Sequence, residues 1–399
     1  MIDIKQNSIF HLSTRNTSYV FALLPNGAIE HIHYGRKLRD PAFSISALRE
    51  KHLSAPGLSV LADRNEMISY DDALLELSAE GRGDYRVPAV AVSYGENGER
   101  TLNLRFSSYK ITRGIVRFRE SSMPQALASE DEAETLEVTY RDDDAGVAVI
   151  SYYTIFSASD TITRRNSIIN TGSSRLYVRA LASGNLDFRA TGFRIHTFQG
   201  SWANEREESV TELRRGTFIT ESRHLASGPD ANPGFILEKG NECYALNLVY
   251  SSAHRESISV TSSGITHAVW GMNSDMLFWP LDKDEVLESP EAVMMYSPSG
   301  LDALSDISHI FIERHIRRGL WKNRLRPVML GSWESAHYSI NEKKAAQMAK
   351  KAKELGFEGI ILDDGWFGAR RNDRTSLGDW YANTMKFPSG LAATSGEAH

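Results

Sequence analysis

Residues 360–368 read Ile-Ile-Leu-Asp-Asp-Gly-Trp-Phe-Gly, a pattern that predicts the end of a buried strand in a parallel sheet. A strand buried on both faces is a continuous apolar run, so its first polar residues fall where it leaves the sheet. Here two carboxylates, Asp363 and Asp364, follow the apolar run directly. In a β/α barrel the carboxyl ends of the strands carry binding and chemistry. The pair is therefore a candidate binding site.

A second apolar run, Pro-Val-Met-Leu-Gly-Ser-Trp-Glu at 327–334, also ends in polar and aromatic residues. Between the two runs the sequence predicts a helix. Ser339 and Glu342 have the spacing of a capping box, Asn341 is an alternative N-cap, and Gly356 suits the left-handed position after the helix. Apolar residues recur at helical spacing on one face: Ala345, Met348, Ala349, Ala352 and Leu355. A strand, a helix and a strand in about forty residues form one crossover unit of a parallel sheet.

Three separated motifs mark this region: Ser-Trp-Glu at 332–334, Asp-Asp-Gly-Trp-Phe-Gly at 363–368 and Ser-Leu-Gly-Asp-Trp at 376–380. In this order and at these spacings they resemble the start of the catalytic barrel of glycoside hydrolase family 36, the bacterial α-galactosidases. Upstream segments are similar to further landmarks of that family: GRGDYR at 81–86, GSWANER at 200–206 and SPEA at 289–292. The resemblance thus extends over nearly the whole chain.

The resemblance implies a retaining α-galactosidase that removes terminal α-D-galactosyl residues from oligosaccharides of the melibiose and raffinose type. Retention requires two carboxyl groups roughly 5 Å apart, a nucleophile and a proton donor. Adjacent side chains at a strand end diverge, and the family carries both catalytic aspartates on later barrel strands. We therefore expect no catalytic residue in this chain. The family implies instead that Asp363 and Asp364 bind galactose hydroxyls; for Asp364, next to Gly365, capping of the turn is the alternative.

Trp333 is predicted to bind substrate as well. An indole can cover the apolar face of a pyranose while its N–H donates to a hydroxyl. Ordinary core packing is the alternative, since tryptophan is commonly buried. Trp366 and Phe367 are predicted to pack the loop and not to touch sugar.

Three further residues are candidates for the rim of the site. Asp379 and Trp380 follow a charged, loop-like stretch. Trp202 lies in a Gly-Ser-Trp-Ala loop, and in related enzymes such a loop can reach the active site of a neighbouring subunit, which also implies a homo-oligomer. An ordinary loop aromatic is the alternative for Trp202.

Residues 1–303 predict a large antiparallel β-sandwich. Short strand-like runs are separated by turn signals such as Pro25-Asn26-Gly27, and helical periodicity is almost missing. The predicted strands are 19–24, 102–106, 136–140, 147–156, 162–170, 176–182, 244–250 and 258–260. A helix from Leu304 to Leu320, within a linker at 304–326, is predicted to join the sandwich to the β/α units of 327–399.

A closed eight-stranded β/α barrel needs roughly 250 residues. Residues 327–399 supply only two strands, one helix and a second helix from Ala392 to His399. We therefore expect an N-terminal fragment of a longer enzyme, inactive alone, with a truncated start of the TIM barrel. The alternatives are a stand-alone carbohydrate-binding or assembly sandwich, or a related α-N-acetylgalactosaminidase or galactosyltransferase.

Composition excludes several other classes. The net charge of −6 leaves no basic field for nucleic acid or anionic lipid, and no apolar stretch approaches the roughly 18 residues of a membrane span. The N-terminus lacks a secretory signal, and the single cysteine, Cys243, cannot form an internal disulfide. Both features favour the cytoplasm, with Cys243 in the core. His31 and His33 share a strand face without a third ligand, so we interpret that face as solvated and expect no metal or cofactor.

Overall fold

The computed structural model describes residues 1–39, 60–63, 66–119, 123–226 and 228–398. It divides into two compact units, Met1–Ile316 and Arg317–His399. In the described part of the chain, no helix is both long enough and apolar enough to cross a membrane.

The first unit consists mainly of β-strands paired antiparallel. In chain order they are β1 (Ile2–Lys5), β2 (Ile9–Ser13), β3 (Thr17–Leu23), β4 (Ile29–Arg36), β5 (Val60–Asp63), β6 (Glu66–Ser69), β7 (Val90–Ser93), β8 (Arg105–Arg113), β9 (Glu134–Asp142), β10 (Val147–Phe156), β11 (Thr161–Asn170), β12 (Leu176–Phe188), β13 (Arg194–Ser201), β14 (Asn204–Glu212), β15 (Gly216–Ser222), β16 (Gly234–Lys239), β17 (Glu242–Val249), β18 (His254–Val260), β19 (Thr266–Met272), β20 (Trp279–Leu281), β21 (Val286–Glu288) and β22 (Glu291–Ser297).

These strands form a four-stranded sheet (β1-β2-β3-β4), a ten-stranded sheet (β14-β13-β16-β17-β22-β11-β10-β9-β8, with β21 beside β11), a six-stranded sheet (β15-β18-β19-β12-β20, with β7 beside β12) and the β5–β6 pair. One hydrophobic core is shared by the sheets and includes Tyr153 and Met294 from the ten-stranded sheet and Val178 and Trp270 from the six-stranded sheet. A Cβ on Gly184 would lie 2.2 Å from the Trp270 ring, so this packing requires glycine there. The predicted β-sandwich is confirmed.

Buried ion pairs supplement the apolar core. Arg86, in the GRGDYR landmark, contacts Asp84 and Asp187 at 2.9 Å each. Asp187 also contacts His267, and all four side chains are nearly inaccessible to solvent. Because an isolated buried charge is unfavourable, their mutual pairing is what allows these residues to lie inside the sandwich.

Most strand predictions are close to the observed bounds. The strands predicted at 147–156 and 162–170 correspond to β10 and β11. The strand predicted at 102–106 is wrong: β8 begins at Arg105 and continues to Arg113 with most of its residues exposed. A polar edge strand gives no apolar run, which is why the pattern missed it.

Helix α1 (Gly300–Phe311) follows the sandwich and continues as π-helical turns over Ile312–Ile316. The helix therefore starts four residues before the predicted Leu304, and its π-helical turns end at Ile316, four residues before the predicted Leu320. Leu304 and Phe311 pack against Phe156 and Cys243, so Cys243 is a core residue, as predicted.

The second unit contains β23 (Met329–Gly331), α2 (Trp333–Ala336), α3 (Glu342–Glu354), β24 (Gly359–Ile361) and α4 (Gly390–Ala398). β23 and β24 pair in parallel, with Leu330 opposite Ile360. The predicted strand–helix–strand unit is confirmed. The second predicted helix begins at Gly390 instead of Ala392, and His399 lies outside the described residues.

The ends of α3 explain its position. Asn341, not Ser339, is the N-cap: its side-chain oxygen accepts the Lys344 N–H at 3.0 Å. At the other end Gly356 adopts φ +84°, and the Phe357 N–H donates to the Ala352 carbonyl at 2.9 Å. This is a Schellman ending, which needs glycine for the left-handed residue.

Two burial expectations for this unit are wrong. Leu355 was expected on the packed face of α3 but is 62% exposed, because it lies in the last turn, beyond the residues that pack. Ile361 was expected in a strand buried on both faces but is 50% exposed. Within this unit β23 and β24 form a two-stranded sheet, which leaves part of their surface uncovered.

Candidate functional site

Ser332 joins the carboxyl ends of the two parallel strands. Its backbone N–H donates to the Ile361 carbonyl at 3.0 Å, and its hydroxyl oxygen accepts the Asp363 N–H at 2.9 Å. Ser332 is fully buried. The serine of the Ser-Trp-Glu motif therefore fixes the point at which the acidic loop leaves β24.

Asp363 lies at the start of that loop with its side chain exposed. Its Oδ1 accepts the backbone N–H of Asp364 at 2.7 Å. The second carboxylate oxygen has no hydrogen-bond partner among the described residues. Asp363 thus retains one acceptor oxygen without a donor in the described part of the chain.

Asp364 is held differently. Its Oδ2 accepts a hydrogen bond from the Arg370 guanidinium at 2.8 Å, and its other oxygen has no partner in the part of the chain that the structure describes. Among the described residues the Asp364 carboxylate is bonded to Arg370 and not to the backbone of the turn, whose capping was the alternative considered for it. Each carboxylate therefore uses one oxygen within the protein and leaves the other available.

The backbone of the loop is fixed by a glycine and a lysine. Gly365 adopts φ +98°, and a Cβ there would lie 2.7 Å from the Tyr338 carbonyl oxygen. Lys386 Nζ donates to the carbonyls of Tyr338 and Gly365 at 2.7 Å each and to that of Arg370 at 3.1 Å. Partial burial lowers the pKa of Lys386. One amine thus ties together three segments of backbone around the acidic loop.

Trp333 begins α2 beside this loop and is half-buried. Its ring lies edge-on to His337 and Tyr338, with centroids 4.9 and 5.0 Å away. Its indole N–H has no hydrogen-bond partner among the described residues. Neighbouring rings thus hold the indole, while its N–H stays without a partner in the part of the chain that the structure describes.

The two aromatics after the acidic pair pack within the loop, as predicted. Phe367 is buried, and the half-buried Trp366 packs against the cluster that contains Ile340 and Phe387. Their rings lie edge-to-face at 5.2 Å. Both rings therefore belong to the packing of the acidic loop itself.

The three candidate rim residues occupy different environments. Trp380 is 69% exposed, and its ring centroid is 4.7 Å from that of Phe367. Asp379 is half-buried, and its backbone N–H donates to the Ser376 carbonyl. Trp202 belongs to the first unit, where it is 89% exposed in the turn between β13 and β14.

Arg370 and Lys386 were missed by sequence reasoning. Arg370 is 5% exposed, whereas the adjacent Arg371 is exposed. Nothing in the sequence distinguishes the two arginines, since burial here depends on how the loop folds back on itself.

The expectation of a solvated face for His31 and His33 is wrong. His31 is buried, with Nδ1 3.1 Å from Glu76 Oε2, and the Nε2 of His33 lies 2.9 Å from the Arg36 carbonyl. Among the described residues, no group of three or more potential metal ligands is found. A buried carboxylate, not solvent, is the environment of His31.

The sequence matches the family model of the glycosyl hydrolase family 36 N-terminal domain over residues 27–282 and that of melibiase over 286–399. It is 34% identical over 393 residues to alpha-galactosidase AgaA of Geobacillus stearothermophilus, covering 97% of this chain and 53% of the relative. It is 32% identical to alpha-galactosidase Mel36A of Lactobacillus acidophilus, again covering 97% of this chain and 53% of the relative.

Solved structures are similar to this chain over nearly the same stretch of residues. The galactosidase domain of the alpha-galactosidase/sucrose kinase AgaSK of Mediterraneibacter gnavus superposes with a TM-score of 0.93 at 33% identity, covering 100% of this chain and 56% of that one. The structure of AgaB of Geobacillus stearothermophilus superposes with a TM-score of 0.93 at 32% identity, covering 100% of this chain and 55% of that one. The chain spans about half the length of these relatives.

The first matched segment contains the sandwich strands from β4 to β20. The second contains β21, β22 and the strand–helix–strand unit, with Ser332, Asp363 and Asp364 of the acidic loop. Sequence similarity and fold similarity both extend over nearly all of the chain. The chain belongs to glycosyl hydrolase family 36.

Proposed function

We propose that this chain supplies the sandwich and the first β/α unit of a retaining α-galactosidase that releases terminal α-D-galactosyl residues from galacto-oligosaccharides. The curated relatives named above are alpha-galactosidases. Variants of AgaA have been solved in complex with stachyose and with raffinose. These properties belong to those proteins and support the proposal through similarity.

The observation that carries the proposal is the pair of available carboxylate oxygens at the strand ends. Asp363 and Asp364 each keep one oxygen without a partner among the described residues. We assign these oxygens to galactose hydroxyls and the Trp333 indole to the apolar face of the sugar. Asp379 and Trp380 are proposed as rim residues of this site, and Trp202 as a rim residue of the site of a neighbouring subunit.

Neither aspartate is assigned to the chemical step. A retaining glycosidase needs a nucleophile and a separate proton donor, whereas Asp363 and Asp364 are both held as acceptors, one by a backbone N–H and one by a guanidinium. We assign nucleophile and acid/base to residues outside this sequence. The chain alone is then inactive, and the active protein is a cytoplasmic homo-oligomer that acts on α-galactoside oligosaccharides.

Galactose binding to the chain tests the site directly. Saturation-transfer NMR should detect galactose on the wild-type chain, and titration should show that Asp363→Asn and Asp364→Asn each weaken binding by about tenfold, since a charged acceptor is lost. Glu354→Gln, on the exposed side of α3, is the matched control and should leave binding unchanged.

The outcomes separate the alternatives. Unchanged binding in both aspartate variants would move the sugar site elsewhere and favour a sandwich that binds carbohydrate by itself. Tighter binding of N-acetylgalactosamine than of galactose would favour an α-N-acetylgalactosaminidase. A wild-type chain that binds neither sugar would contradict the assignment of the acidic loop.

A further inference from the structure

Arg370 makes several contacts from a buried position behind the acidic loop. One terminal nitrogen donates to Asp364 Oδ2 at 2.8 Å, and the other donates to the carbonyls of Asn372 and Thr375 at 2.8 and 3.0 Å. The guanidinium carbon lies 5.2 Å from the centroid of the Tyr338 ring. Backbone carbonyls and a ring therefore fix the plane of the guanidinium.

The contact with Asp364 is made through a single carboxylate oxygen. An arginine that engaged a carboxylate with both nitrogens would occupy both oxygens. Here the second nitrogen is already bound to Asn372 and Thr375. The arrangement restrains the Asp364 side chain and leaves its Oδ1 as an acceptor.

From this geometry we infer that Arg370 is a positioning residue for sugar binding: it acts through Asp364 by holding one carboxylate oxygen so that the other meets a substrate hydroxyl. The inference rests on the proposed function. Without Arg370 the Asp364 side chain must be ordered when the sugar binds, which weakens binding because rotamer freedom is lost at that step.

Arg371 provides the matched control. It is the next residue, carries the same charge and is exposed. Among the described residues only its backbone N–H is hydrogen-bonded, to the Thr375 hydroxyl. Removing its side chain changes the local charge as much as removing that of Arg370 but leaves Asp364 held. A difference in galactose affinity between the Arg370 and Arg371 variants therefore reflects the loss of the contact with Asp364 and not the loss of a positive charge.

The experiment uses the whole chain and two readouts. Titration with galactose gives Kd, and carbodiimide labelling followed by mass spectrometry measures how accessible the Asp364 carboxylate is. Arg370→Ala should weaken galactose binding about tenfold and increase labelling of Asp364, whereas Arg371→Ala should change neither. Millimolar guanidinium should partly restore binding to the Arg370→Ala chain.

A double-mutant comparison separates positioning from general support of the fold. If Arg370 acts through Asp364, Arg370→Ala should not weaken binding further in an Asp364→Asn background. Additive losses, or unchanged labelling of Asp364 in Arg370→Ala, would overturn the inference. If the wild-type chain binds no galactose, the proposed function fails for this chain; increased labelling in Arg370→Ala still supports the restraint of Asp364, and unchanged labelling overturns it.

Discussion

Replacing Glu76 with methionine should destabilise the first unit severely. Glu76 is fully buried, and its Oε1 accepts hydroxyl hydrogen bonds from Tyr19 and Tyr153 at 2.7 Å each and lies 3.0 Å from Arg164. Its Oε2 lies 3.1 Å from His31 Nδ1. Burial alone would raise the pKa of Glu76, but the charge of Arg164 and the His31 contact lower it below the ordinary value, so Glu76 is a carboxylate.

The magnitude follows from what the substitution leaves behind. Arg164 is fully buried and would keep its charge without a carboxylate partner. Removing one partner of a buried ion pair costs about 3–5 kcal/mol, because the remaining charge is desolvated without compensation. The double variant Glu76→Met/Arg164→Met removes both charges and should recover a large part of that loss.

Urea denaturation followed by circular dichroism measures the effect, with the two units fitted as separate transitions. Asp143→Asn, which breaks the exposed Arg141–Asp143 pair, is the control and should cost less than about 1 kcal/mol. A Glu76→Met variant within about 1 kcal/mol of wild type would refute the reasoning. So would a double variant less stable than Glu76→Met alone.

Three further predictions concern chemistry, pH and the loop. The chain alone should not hydrolyse p-nitrophenyl α-galactoside, and turnover that disappears in Asp363→Asn would contradict the assigned roles. Burial would raise the pKa of Asp187, but Arg86 and His267 lower it to about 2 from the ordinary 3.8. The Asp187 carboxylate therefore adds about 2 kcal/mol to the free energy of unfolding above pH ~4, and this contribution is lost as the pH falls to ~2. Asp187→Asn should abolish that part of the pH dependence in a denaturation series. Gly365→Ala should destabilise the second unit by about 1–3 kcal/mol through the positive φ and the clash with the Tyr338 carbonyl, seen as an earlier urea transition; Gly396→Ala, in open space, should not.

Local chemistry explains which parts of the second unit the sequence could predict. Asn341 and Gly356 mark the ends of α3 because a side-chain acceptor at the N-cap and a left-handed residue after the helix are requirements of the helix itself. Leu355 was misjudged because periodicity assigns a residue to a face of the helix but does not say how far along it the packing extends. Likewise, the pattern placed Ile361 in a strand but could not say what covers it.

Long-range partners explain what the sequence could not predict. His31 is buried because Glu76, 45 residues later in the chain, supplies a carboxylate beside it. Arg370 is only six residues from Asp364, yet their contact depends on a loop closed by Lys386 from sixteen residues further on. Family resemblance predicted a role for Asp363 and Asp364, but only the structure shows that Asp363 accepts the backbone N–H of its neighbour and that Asp364 is held by an arginine.

Charge balance in the acidic loop fits a neutral ligand. Two adjacent carboxylates repel each other and would attract cations unless their charge is compensated. Arg370 pairs with Asp364 directly, and the Lys386 amine lies against the backbone of the same loop. Arg370 and Lys386 therefore bring two cationic side chains into contact with the acidic loop, while two carboxylate oxygens stay free of protein partners among the described residues. The proposed site keeps strong hydrogen-bond acceptors whose charge is partly offset, which suits the uncharged sugar proposed as its ligand, because sugar hydroxyls donate hydrogen bonds but bring no charge of their own.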